Sequence, residues 1–204
     1  MHSIKKTWFG VDLMRIFTEE KKRSEAYFGT EIARAQLFYP RLEDCLRISA
    51  FYKDMAERLE EFFLKAARAC LDEYEKMTRP ERRDFAPFCM RLFFSVMHAS
   101  EKEVSIVMEY AASRGKDLLL YRKTCFVWDT ERELLLPPES FFGRRYRRFA
   151  RKNEFFVDSK NAYIIENLFP RSAAQEGGRV HICDYTRETK SRRRNISFHL
   201  GKQS

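Results

Sequence analysis

The chain has 204 residues, enough for one ordinary domain with a real core. Its 44% hydrophobic content, with 19 Phe and 9 Tyr, excludes disorder along the whole length, and its 34% charged residues call for a well-solvated surface. No run approaches the ~20 apolar residues that a membrane-crossing helix needs, and Asp12 and Arg15 interrupt the only N-terminal apolar stretch. No membrane span is expected, and a cytoplasmic protein is. The net charge of +9 sits entirely in the last third: residues 1–142 hold 24 basic and 24 acidic side chains, and residues 143–204 hold 15 and 6.

In chain order, the first expected element is a hairpin in "RSEAYFGTEIARAQLFYPRL", turning at Gly29-Thr30. It sets Ala33, Ala35, Leu37 and Tyr39 on one face and Ile32, Arg34, Gln36 and Phe38 on the other. Residues 47–77 follow as a long amphipathic helix. Its apolar stripe runs through Ile48, Phe51, Tyr52, Met55, Leu59, Phe62, Phe63, Ala66, Cys70, Leu71 and Tyr74 at three-and-four spacing. Pro80 and Pro87 close it, since proline cannot continue the helical ladder.

Beyond the helix the period falls from near 3.6 to 2. Strands are expected at 91–99, 104–110, 118–129, 154–158 and 162–169, separated by turn-like pieces. Between them, "PPESFFGRRYRRFARK" reads as a short helix or turn. Phe142, Tyr146 and Phe149 stand at i, i+4 and i+7, so one face carries the rings inward and leaves the arginines to water. Two last strands flank the charged loop that contains Arg192, Arg193 and Arg194. The expected fold class is α+β, a long amphipathic helix on a curved antiparallel β-sheet, in a single domain spanning 1–204. Its parts are an N-terminal hairpin and helix (1–87), a β-rich part (88–170) and a basic C-terminal hairpin (171–204).

Signs of catalysis are sparse. Seven scattered glycines make no phosphate-cradling loop. The five cysteines are odd in number and widely spread, as for free thiols in a reducing compartment. His181 and Cys183 form only a weak metal-ligand pair, and Glu131 and Glu133 lie in what reads as an exposed turn. No catalytic residue, cofactor or metal is assigned, and the balance is against an enzyme; a small enzyme acting on a cell-wall sugar or a nucleotide is the third reading. The candidate contacts to anions or nucleic acid are Arg144, Arg145, Arg148, Arg192, Arg193 and Arg194, where a basic surface would draw in phosphates.

The segments "LFYPRL", "ISAFYKDMAERLEEFF", "FFSVMHASEKEVSIVMEY", "RKTCFVWDTERELLLPPESFF" and "NEFFVDSKNAYIIENLFP" occur in a recognisable order. Trp128-Asp129, then Leu134 to Leu136, then Phe141-Phe142 match a strand end, a leucine-rich piece and a helix opening. This order resembles the ligand-sensing domain shared by the lysozyme-responsive anti-sigma factor and the peptidoglycan deacetylases of Gram-positive bacteria. The resemblance implies a helix against a curved antiparallel sheet and a non-enzymatic binding or interaction module, related to cell-envelope sensing, with a protein partner. The alternative is a nucleic-acid-binding protein that uses the basic C-terminal third.

Overall fold

The computed structural model describes residues 14–166 and the strand backbones at Arg179–Cys183 and Ser197–His199. Strands β1 (Ile16–Tyr27) and β2 (Thr30–Leu42) form the hairpin, helix α1 (Leu46–Lys76) and short helix α2 (Arg79–Arg83) follow, and β3 (Phe88–Ala99), β4 (Glu103–Arg114), β5 (Asp117–Asp129) and β6 (Leu134–Leu135) complete a six-stranded sheet in sequence order. A 3-10 turn at Pro138–Ser140 leads to helix α3 (Arg144–Ala150). Strands β7 (Glu154–Val157), β8 (Ala162–Glu166), β9 (Arg179–Cys183) and β10 (Ser197–His199) make a second sheet.

The architecture is α+β with the long helix on the sheet, and one pairing departs from the antiparallel expectation. β2 runs parallel to β3, with Ala33–Leu37 opposite Phe88–Leu92. The reason lies in lengths. The 31 residues of α1 rise about 46 Å at about 1.5 Å each, and the 13 residues of β2 span about 43 Å at about 3.3 Å each. The helix therefore carries the chain back to where β2 began, and β3 starts again in the same direction, as a parallel pair requires.

Helix α1 buries Ile48, Tyr52, Ala56, Phe63, Ala67, Cys70 and Tyr74 against Ala33, Ala35 and Leu37 of β2, Met90 and Leu92 of β3, and Val104, Ile106 and Met108 of β4. Ala33, Ala35, Leu37 and Tyr39 do share the buried face. Phe62 leaves the expected stripe: neighbouring residues on a helix point about 100° apart, Phe63 takes the inward place, and Phe62 is 48% exposed. Phe51, Tyr52, Phe126 and Trp128 form an edge-to-face aromatic group, within which the Trp128 Nε1–H donates to Tyr52 Oη at 2.9 Å.

The N-terminus of α1 is capped from a distance. Cys45 offers no side-chain cap, and Glu133, held at φ 50° in the turn after β5, accepts the backbone N–H groups of Arg47 at 2.6 Å and Ile48 at 3.2 Å. The turn expected to be simply solvated thus docks one of its carboxylates on the helix.

The second sheet covers part of the opposite face of the first, giving three layers. Val127, Phe141, Phe142, Ala150, Val157 and Ile164 form one small core there, and Val107, Cys125, Phe156 and Ile165 form another. Hydrogen bonds tie the layers: Ser105 Oγ accepts the Val157 N–H at 3.0 Å, and the Glu154 carboxylate accepts the Cys125 N–H at 2.9 Å and an Arg122 N–H at 3.4 Å.

Glu60 of α1 clamps the hairpin to the helix. It binds Arg23 and, at 3.0 Å, Lys21. Hydrogen bonds from Arg23 and Lys21 hold the Glu60 carboxyl below its ordinary value of 4.5, against the opposing effect of burial. A depressed carboxyl stabilises the fold fully above that ordinary value and loses the contribution as pH falls through the folded value. Thermal melts of wild type and Glu60→Gln between pH 7 and pH 3 should therefore converge in acid; a gap that persists or widens there contradicts the clamp.

Tyr52→Phe leaves the Trp128 indole N–H buried without an acceptor. The expected loss is about 1–3 kcal/mol, read as a lower urea midpoint with unchanged slope.

Candidate interaction surfaces

Pro137 and Pro138 stop β6 and start the 3-10 turn, and Gly143 opens α3. Phe141 and Phe142 just before the helix are fully buried, and Tyr146 and Phe149 are half-buried against the same small core. The rings belong to the core, as their spacing predicts, and are not laid out for base stacking. Arg147 donates to the Phe142 carbonyl oxygen at 3.0 Å and Arg151 pairs with Glu139, so these two brace the segment. Arg144, Arg145 and Arg148 are exposed, with Arg145 lying 5.5 Å from the Tyr146 ring centroid. The structure gathers these three candidate arginines on one short helix. Arg192, Arg193 and Arg194 lie outside the described residues, as do the side chains of His181 and Cys183.

A second surface forms at the hairpin tip. The turn is Phe28-Gly29, one residue earlier than its sequence suggests, because Tyr27 pairs with Thr30 and leaves a two-residue loop. Both loop residues have positive φ, 46° and 82°, as a type I′ turn requires. Gly29 adopts this freely, but a bulky side chain at the first position is strained. The Phe28 ring is also 91% exposed, touching Tyr27 edge-to-face at 4.5 Å between centroids. Tyr27 in turn meets Tyr74 of α1 at 6.3 Å.

Beside this ring, hairpin and helix enclose a groove of about 230 Å³. Buried Ile32 and Ala67 contribute to its lining with half-buried Tyr27 and Leu71 and exposed Leu64, and exposed Glu25 and Arg68 bring one charge of each sign. The helical period explains the arrangement: Glu60, Leu64 and Arg68 are four residues apart, so the residue that clamps the hairpin continues into the two that line the groove. Sequence reasoning missed this surface. Leu64 falls off the apolar stripe, and the strain at Phe28 depends on which two residues turn.

Shifted titratable groups elsewhere have structural explanations. Burial, then a bond to Asp158, pushes the Tyr163 hydroxyl up to about 12, and this pair closes the β7–β8 turn. Burial likewise pushes up the thiols of Cys45, Cys70 and Cys125, which are all free. Among the described residues no three His, Cys, Asp or Glu side chains converge as a metal site. Among them, too, no helix is long and apolar enough to cross a membrane.

The sequence matches no family model, and a comparison with curated proteins finds no match. Solved structures do match. A DUF3298 family member from Bacteroides fragilis superposes with a TM-score of 0.55 at 8% identity, over 77% of this chain and 85% of that one. A DUF3298 family protein from Pseudomonas aeruginosa gives 0.42 at 11% identity, over 66% and 61%. At 8% identity the Bacteroides fragilis likeness establishes that the helix-on-sheet fold is shared.

Proposed function

We propose that the chain is a non-enzymatic binding module that recognises a protein partner through the tip of the β1–β2 hairpin and the adjoining groove. The observation that carries this reading is Phe28. A left-handed backbone conformation costs a non-glycine residue about 1–2 kcal/mol, and a 91% exposed phenyl ring adds little core burial in return. Backbone strain held at one exposed aromatic is the pattern of a contact residue, and aromatic anchors dominate the energetics of protein interfaces. The protein-binding role implied by the sequence resemblance points the same way, with cell-envelope sensing as its setting.

Phe28→Asn separates fold from function, because asparagine tolerates positive φ. Relief of about 1–2 kcal/mol of strain offsets the lost Tyr27 ring contact of about 0.5–1.5 kcal/mol, so the melting temperature should hold or rise. Partners captured by the wild-type chain from its own lysate should be lost by this variant. Equal recovery by both proteins sinks the proposal.

The arginines of α3 favour a second reading, nucleic-acid binding. Arg144, Arg145 and Arg148 face water and form no ion pair to an acid among the described residues, and the segment from Arg144 to Lys152 contains no acidic residue. If they neutralise phosphates, affinity for DNA or RNA falls steeply with salt. Replacing all three by Ala should then flatten the log–log slope by up to about 2.7, at about 0.9 per phosphate. Binding indifferent to salt removes this reading.

A further inference from the structure

The hairpin-tip surface can be given a specific occupant. We infer that it is filled by a second copy of the same chain, in a two-fold contact that seats Phe28 of each protomer in the groove of the other. This inference rests on the reading of that surface as a contact site and names what fills it.

Three observations carry it. The groove, about 230 Å³, is smaller than the roughly 300–1,000 Å³ of drug-sized ligand sites; it suits a side chain. A two-fold interface uses the same patch on both subunits, so the patch must contain both the projection and the hollow that receives it. Here Phe28, 91% exposed, projects beside a groove that Tyr27, Leu64 and Leu71 line. The third observation is charge. Glu25 and Arg68 line the groove with opposite signs, both exposed, and neither forms an ion pair among the described residues. Across a two-fold axis each acid can meet the other protomer's base, which makes the patch electrostatically self-complementary.

The contact is small, so the dimer should be weak and reversible. Sedimentation velocity of the full chain over a wide concentration range should show a reversible monomer–dimer equilibrium, and Phe28→Asn should remain monomeric. Glu25→Arg and Arg68→Glu each place like charges opposite one another and should weaken self-association at least about tenfold. Mixing these two variants restores both unlike pairs and should yield a heterodimer, an outcome that intramolecular effects cannot produce. Far-UV circular dichroism of each variant checks that the fold is retained. A wild-type chain that stays monomeric, a dimer indifferent to Phe28→Asn, or failure of the mixed variants to associate overturns the inference. If the wild type is monomeric while Phe28→Asn still loses a captured protein, the contact surface stands and the second copy is excluded.

Discussion

The hydrogen bond from Trp128 to Tyr52 marks the place where the long helix is held to the sheet it must recross. Both residues are buried, one on α1 and one on β5, 76 positions apart in sequence. A parallel β2–β3 pair exists only if its connection lies across the sheet, so the position of β3 depends on α1 being docked. The aromatic group of Phe51, Tyr52, Phe126 and Trp128 supplies that docking near the start of the helix. Phe63, stacked on Phe88 with centroids 6.4 Å apart, continues it toward the far end. Ala56 and Ala67, buried on the same face, provide small side chains where the helix lies against the sheet.

Polar contacts then fix what apolar packing leaves adjustable. Glu133 caps the incoming helix from the turn after β5, Glu60 ties the hairpin to the helix, and Ser105 and Glu154 join the second sheet to the first. Each accepts from backbone N–H or from cations. No buried side-chain polar atom among the described residues is left without a partner. Among the described residues, the features that the packing leaves unbalanced lie at the surface, in the strained and exposed Phe28 and in the exposed Arg144, Arg145 and Arg148 of α3.

Much of this could be read from residue order. The 31-residue helix, strands β3, β4, β5, β7 and β8, the inward rings of α3 and the buried face of β2 follow from local periods of 3.6 and 2, because a side chain's direction is set by the backbone beneath it. The parallel pairing was less legible, since alternation is the same in either strand direction; it emerges from comparing the lengths of helix and strand. The cap of Glu133 on residues 86 and 85 positions away had no local signal at all.

The sequence by itself determined the fold class, the long helix, most of the strands and the separation of basic charge into the last third, all of which depend on composition or on near neighbours along the chain. Only the tertiary structure decided the candidate site. One residue of shift in the turn moves Phe28 to positive φ, and only the packing of the hairpin on α1 brings Glu25 and Tyr27 beside Leu64 and Arg68 to enclose a groove. Such a surface is made by residues about forty positions apart, whose meeting is governed by how two elements pack, and no period within either element encodes it.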